Sequence, residues 1–291
     1  MVDAILARAQ STSRTILTEY ESKQILSAYG IPTVSSILAP SAEDALCAAN
    51  EIGYPVVVKL NSETITHKTD VGGVKLNLSS PEQVREAFCS IQTSVENNFE
   101  KSDFQGVTVQ PMVNTRANYE LIVGASQDDQ FGPVMLFGTG GTLVEIYKDQ
   151  ALALPPLNTT LANLMMKNTK IYKALKGARG KSPIDMPALE KLLVNFSHLV
   201  MEKWTYIKEI EVNPLLATPG DGLLALDARV ILHPPMETGS TPIIRPAIRP
   251  YPSQYEQRFV SKKGRAMLIR AIMPEDEPLV VEFHKRISEE R

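Results

Sequence analysis

The residues best equipped for chemistry crowd into one stretch, Pro55-Val-Val-Val-Lys59 followed by Ile65-Thr-His-Lys-Thr-Asp-Val-Gly-Gly-Val74. Three β-branched valines after a proline read as a short buried strand that delivers Lys59 to its end, and Val74 to Leu78 reads as the next strand. The loop between them closes on Gly72-Gly73, where the missing Cβ atoms let backbone N–H groups approach an anion closely. Phosphate oxygens suit such a nest. A glycine pair between strands also serves as a plain primed hairpin turn, and a lone His67 as a solvated loop residue. The functional reading comes from the combination: a strand-borne lysine, His67, Lys68 and a diglycine tip form a cationic cradle with a nucleophile inside it.

A second set of polar residues lies far along the chain. Ile207-Lys-Glu-Ile-Glu-Val-Asn-Pro-Leu215 is answered by Leu223-Leu-Ala-Leu-Asp-Ala-Arg229 across a Pro-Gly-Asp-Gly turn. Strand alternation puts Glu209, Glu211 and Asn213 on one face. A hairpin centred on Gly220 sets Asn213 opposite Asp227, since their numbers average 220. An amide and a carboxylate there suit a hard, hydrated cation such as Mg²⁺ shared with phosphate oxygens; a capped turn with solvated acids fits the same residues.

The positioning elements follow from caps and periodicity. Thr18-Glu-Tyr-Glu21 is a capping box whose helix stops at Gly30, and Ser41 caps a helix running to Gly53 with a stripe of Ala45, Ala48, Ala49 and Ile52. Ser80-Pro81 opens a third helix that carries Val84, Ala87, Phe88, Ile91 and Val95. All three read as scaffold. From Gly106 the period changes to two, and 107–113, 119–124, 133–137 and 143–147 read as strands of a largely antiparallel sheet, with Gly138-Thr-Gly-Gly141 as a second glycine-rich loop. Helices follow near 160–167 and, after a cap at Asp185, over 187–203, with Arg179 in a basic link between them. Beyond His233 a proline-rich connector leads to a strand at 265–272 and a helix opened by Pro274-Glu-Asp-Glu277, too little to bury a core alone.

With 291 residues, 43% hydrophobic and 22% charged, the chain reads as ordinary globular protein. A net charge of -3 gives no reason to expect nucleic acid or a membrane surface. Cys47 and Cys89 sit in helical patterns and are expected to be buried thiols in a reducing cytosol, and no signal-peptide or bilayer-spanning pattern is seen, so a cytoplasmic protein is expected.

The capping-box helix, valine strand with lysine, His-Lys-Thr-Asp-Val-Gly-Gly loop, Asn-Pro hairpin and Asp-Ala-Arg, in that order, resemble the ATP-grasp region of ADP-forming acyl-CoA synthetases over roughly 16–232. The resemblance implies an α/β (α+β) ATP-grasp fold over 17–233, with lobes of about 17–105 and 106–233 and the nucleotide between them. It implies phosphoryl transfer between ATP/ADP and an acyl phosphate through a phosphohistidine at His67. Lys59 would hold phosphates, Gly72 and Gly73 would close over them, Lys68 and Val71 would take part in nucleotide binding, Gln110, Pro111, Met112 and Val113 would meet adenine, Glu120 would lie near ribose or phosphates, and Asn213 and Asp227 would hold Mg²⁺. Residues 1–16 are expected as a linker from an upstream domain and 234–257 as another linker.

The segment 258–291, with Arg-Pro-Tyr-Pro before it and Ile-Met-Pro-Glu-Asp-Glu-Pro-Leu within it, is similar to the start of the Gcn5-related acetyltransferase domain in Pat-type protein lysine acetyltransferases. That likeness implies a fusion whose partners are an acetyltransferase domain and a CoA-binding domain. Two departures qualify the ligase reading. Ala153 stands before Leu154-Pro155-Pro156-Leu157, where ADP-forming synthetases usually carry arginine, and the CoA-binding part is not present. A nucleotide- or metabolite-sensing regulator and a carboxylate–amine ligase that dispenses with His67 therefore stay open beside the phosphohistidine enzyme.

Overall fold

The computed structural model describes residues 1–65, 68–114, 118–141, 149–177, 182–235, 243–248, 255–272 and 276–286. His67, Arg179 and the strand expected over 143–147 lie outside these residues. The chain divides into two compact units, Met1–Ile248 and Arg249–Arg291.

The first unit is built on two sheets. The smaller has the order β1-β4-β2-β3, from β1 (Ile37–Ala39), β2 (Val56–Leu60), β3 (Val74–Leu78) and β4 (Val107–Pro111), with all its pairings antiparallel. Helices α3 (Ala42–Ile52) and α4 (Pro81–Asn98) cover it, the first through Ala45, Ala48 and Ala49 and the second through Val84, Ala87, Phe88, Ile91 and Val95. Both begin as the sequence predicts, with the Ser41 hydroxyl accepting from Asp44 N–H and the Ser80 hydroxyl from Gln83 N–H. All five residues of β2, Lys59 included, are buried: Val56, Val58 and Leu60 belong to the helix-covered core, and Lys59, on the other face, donates to Glu19.

The larger sheet runs β10-β8-β5-β6-β7, with β9 also paired to β8. Its strands are β5 (Tyr119–Asp128), β6 (Gly132–Thr139), β7 (Gln150–Ala153), β8 (Ile207–Thr218), β9 (Gly222–Ala225) and β10 (Ala228–Leu232). Helices Thr159–Lys167 and Met186–Lys203 pack on it through Ala162, Met165, Met166, Leu189, Leu193 and Phe196.

Several expectations are corrected. The strand read at 107–113 does not belong to the larger sheet: Val107–Pro111 pairs with β1 and β2, so the boundary between the sheets falls after Pro111 rather than at 105. Strand partnership is a non-local choice that alternation alone does not encode. The segment 1–16 is no linker. Val2–Ser11 is a helix, α1, whose Val2, Leu6 and Ala9 are buried in the larger core, and the following residues run beside β10, with Leu17 N–H donating to Val230 O at 3.0 Å. Helix α2 (Glu19–Ala28) likewise places Ile25 and Leu26 in the larger core. Cys47 and Cys89 are exposed, since each falls on the helix face opposite the apolar stripe. Part of the expected 234–257 linker is docked: Gln127 Nε2 donates to Ile244 O at 2.6 Å and Ala247 N–H to Phe131 O at 2.9 Å.

The second unit contains a hairpin, Gln257–Val260 with Ala266–Ile269, and the helix Glu277–Arg286. Both strands are exposed throughout, so this unit has no core of its own among the described residues.

Leu6 is 1% exposed within the larger core. Leu6→Ala is expected to cost about 2–5 kcal/mol, read from the midpoint of urea unfolding; a change below about 0.5 kcal/mol, the size of an ordinary surface substitution, would return α1 to the status of a linker.

Candidate functional site

Helix α2 begins at the capping box read in the sequence: the Thr18 hydroxyl accepts from Glu21 N–H at 3.1 Å, and the Glu21 carboxylate accepts from Thr18 N–H at 2.9 Å. Arg14 clamps the same Glu21 carboxylate with both terminal guanidinium nitrogens, at 3.0 and 2.8 Å. The cap fixes the first turn, and the first turn carries Glu19. Glu19, Ser22 and Lys23 form a polar, buried stripe at helical spacing, while Ile25 and Leu26 face the larger core.

Three ammonium groups converge on Glu19. Lys23 and Lys59 donate to Oε1 at 2.7 and 2.8 Å, and Lys68 donates to Oε2 at 2.8 Å. Lys59 comes from β2 and Lys68 from the β2–β3 loop, so one carboxylate gathers three separate parts of the chain. Lys23 also donates to Gln110 Oε1, at 3.0 Å. Burial pushes the Glu19 carboxyl up, but Lys68, Lys59 and Lys23 more than reverse this and hold it well below the usual carboxylate range. Burial pulls Lys59 down and Glu19 overrides it, so its ammonium is raised, whereas for Lys23 burial prevails and the group is lowered.

Opposite the lysines the larger sheet supplies oxygens. The β8–β9 hairpin pairs Thr218 with Gly222 and Leu215 with Ala225, the register that a turn centred on Gly220 requires, and Ala228 of β10 continues it opposite Val212. Asn213 N–H accordingly donates to Asp227 O at 3.3 Å. Against β5 the strand shifts register between Leu121 and Val123, an irregularity at Asn213-Pro214 that removes Pro214 from the ladder and re-aims Asn213. Asn213 Oδ1 accepts from Gly141 N–H at 2.8 Å. Gly141 sits at a φ of 78°, a left-handed conformation that glycine adopts without strain, and so presents its N–H to Asn213. Burial, and then the negative charge of Glu19, push Asp227 up; burial also raises Glu211.

These two walls face one cleft of about 370 Å³. Lys59, Lys68, Asn213 and Asp227 line it together, as the sequence reading requires. So do Glu19, Glu211 and Arg229, with Glu63 and Asp70 at its margin, and carboxylates outnumber cationic groups in the lining. Two acids raised by burial beside an amide oxygen make a hard-oxygen donor set that a divalent cation relieves. Among the described residues no group of three His, Cys, Asp or Glu side chains that could hold a metal ion is found.

Other expectations are placed differently. Gly72 N–H donates to Thr69 O at 3.1 Å and Gly73 N–H to Lys68 O at 2.7 Å, so the diglycine amides are spent closing their own turn and do not form an open anion nest. Val71, Gly72 and Gly73 are not part of the cleft lining; nor are Gln110, Pro111, Met112, Val113 and Glu120. Gln110 reaches the site through Lys23, and Met112 N–H donates to Pro55 O at 3.0 Å. Glu19 and Lys23 were missed because a capped helix with charges four apart reads as a solvated face; their signal was that same spacing directly after a capping box.

A model of the ATP-grasp domain matches residues 8–232. The β subunit of ADP-forming acetate–CoA ligase I from Pyrococcus furiosus is 41% identical over 228 residues, covering 78% of this chain and 96% of that protein. The 4-hydroxybutyrate–CoA ligase [ADP-forming] of Nitrosopumilus maritimus is 37% identical, and there the match spans 32% of the relative's length. Among solved structures, acetyl-coenzyme A synthetase 1 of Ca. Korarchaeum cryptofilum with coenzyme A and Ca-AMPCP has a TM-score of 0.74 at 39% identity, over 80% of this chain and 100% of that one. The same protein with coenzyme A and Mg-AMPPCP, its phosphohistidine segment pointing towards the nucleotide-binding site, has a TM-score of 0.69 at 36% identity, over 80% and 100% of the two chains.

Glu19→Gln strands two buried ammonium groups and the half-buried Lys68, and is expected to cost about 3–5 kcal/mol at neutral pH. Because the folded carboxyl is held down, its contribution is complete above the ordinary carboxylate range and fades as pH falls, the unfolded chain taking up the proton first. The gap between variant and native protein in urea unfolding should therefore narrow from pH 5 towards pH 3.

Proposed function

Because this chain belongs to the ATP-grasp domain family and is homologous to the β subunits of ADP-forming acetate–CoA ligases, we propose that it binds ATP or ADP with Mg²⁺ and moves a phosphoryl group between nucleotide and acyl phosphate by way of His67. The observation that carries this reading is the single cleft in which Lys59 and Lys68 face Asn213 and Asp227.

Phosphoryl transfer asks for alignment and charge neutralisation more than for covalent machinery. Lys59 and Lys68 hold the oxygens of the transferring phosphate, and Asn213 and Asp227 hold Mg²⁺, with Glu211 beside them. The ion, when bound, draws charge from the phosphate oxygens. A neutral ring nitrogen of His67 attacks the γ-phosphorus, the bond to the bridging oxygen breaks, and ADP leaves with that oxygen. The nitrogen–phosphorus bond then yields the group to a carboxylate, giving the acyl phosphate. Gln110, Pro111, Met112 and Val113 lie at the end of β4, where the chain leaves one sheet for the other, and take the adenine end. Val71, Gly72, Gly73 and Glu120 do not line the cleft, and their part in nucleotide binding rests on the sequence resemblance alone. A CoA-binding partner completes acyl-CoA formation, and residues 258–291 open an acetyltransferase domain by the sequence likeness described above. A cytoplasmic location is proposed from the sequence reading alone; among the described residues no helix is long and apolar enough to cross a membrane.

Ala153, which ends β7 where ADP-forming synthetases usually carry arginine before the Leu-Pro-Pro-Leu segment, favours a second reading in which nucleotide is sensed rather than turned over. One experiment separates the two. Incubation with γ-labelled ATP and Mg²⁺ should give acid-labile, base-stable label on the native protein and none on His67→Ala, which should still bind ADP-Mg²⁺. Nucleotide binding without label would select the sensor, and label retained in His67→Ala would overturn the relay.

Asp227→Asn should in addition remove the Mg²⁺-dependent part of the rise in melting temperature with ADP. A ligand present at 100 times its Kd adds about 2.7 kcal/mol to the folded state, so the loss is measurable by thermal shift.

A further inference from the structure

Resting on the phosphoryl-transfer reading above, we propose that Glu19 is a positioning residue for that reaction: it aims the ammonium groups of Lys59 and Lys68 into the cleft at the spacing that the transferring phosphate requires.

The geometry gives each group a different task. Among the described residues, Lys59 and Lys68 hydrogen-bond only to Glu19, one at each carboxylate oxygen, at 2.8 Å. An ammonium has three donors, so each keeps two for the cleft it lines. Lys23 is committed elsewhere: it donates to Glu19, to Gln110 at 3.0 Å and to Ser36 at 3.4 Å, and it does not line the cleft. Its charge steadies the carboxylate from behind. Glu19 itself is held at both ends, by the capped first turn of α2 and by Lys23 one turn later.

The placement of the donors supports a role beyond packing: of the three ammonium groups on Glu19, the two that line the cleft are those whose remaining donors can meet the oxygens of a phosphate. Were the carboxylate there only to neutralise buried lysines, nothing would require it to split its two oxygens between the two lysines that face the cleft. Three free ammonium groups would also repel one another and splay, so the carboxylate sets their separation as well as their charge. An anion that meets phosphate only through intermediaries contributes through geometry, and geometry weighs most in the transition state.

Glu19→Asp keeps the charge and shortens the reach by one methylene, and misplacement of about 1 Å can cost on the order of 10²-fold in rate. Formation of labelled enzyme from γ-labelled ATP and Mg²⁺ is followed in the full chain as a function of ATP concentration, below the melting temperature of each variant. The expected result is a maximal rate lowered about 30- to 100-fold, with half-saturation by ATP changed no more than about threefold, in a protein whose circular dichroism matches the native form. Glu19→Gln, where it folds, should show the same split. A Glu19→Asp protein that labels at the native rate overturns the inference alone. So does one that loses activity only in proportion to its unfolded fraction, which would assign Glu19 to stability. Absence of label on the native protein overturns the phosphoryl-transfer reading and this inference with it.

Discussion

A carboxylate that accepts from three ammonium groups at 2.7 to 2.8 Å, almost out of contact with water, is the contact on which the rest of the site rests. Taking four charged groups out of solvent is costly, and their attraction offsets the cost only where the geometry is good and the remaining donors are satisfied. Here the geometry is enforced from outside. The capping box and Arg14 fix where α2 starts, the flanking strands fix the end of β2, and the closed turn at Gly72-Gly73 fixes the loop that brings Lys68. Each support is ordinary secondary-structure chemistry, and together they hold an arrangement that none could hold alone.

The oxygen-bearing wall shows the complementary condition. Asp227 and Glu211 are pushed up by burial, Asp227 also by the negative charge of Glu19 and in spite of Lys59, Lys68 and Lys23, while those three lysines hold the Glu19 carboxyl down. One wall presents the ammonium groups of Lys59 and Lys68, and the other presents acids that burial disfavours as anions. A polyphosphate carrying a divalent ion would answer both walls at once. This complementarity of the two walls, more than the presence of any one residue, distinguishes the cleft from a patch of buried ion pairs.

The sequence displayed the parts that depend on local rules. Caps at Thr18, Ser41, Ser80 and Asp185 follow from hydrogen-bond chemistry within one turn, and the facing of Asn213 and Asp227 follows from arithmetic about a tight hairpin. It hid what depends on distant partners. Val107–Pro111 alternates like its successors but pairs with β1 and β2, because edge and partner are settled by whole-sheet packing. Glu19 and Lys23 look like a solvated i,i+4 pair until β2 and the β2–β3 loop are placed over them. Gly72-Gly73 signals backbone freedom without saying which acceptor its amides will find.

The course of α2 has one more consequence. Its apolar face belongs to the core of the larger sheet, through Ile25 and Leu26, while Glu19 grips lysines rooted in the smaller sheet, whose core is separate. The helix is thus a rivet between two hydrophobic bodies, and the second body cannot loosen without exposing the charges of the first. Heat should melt them as one cooperative block, in a single calorimetric transition rather than two.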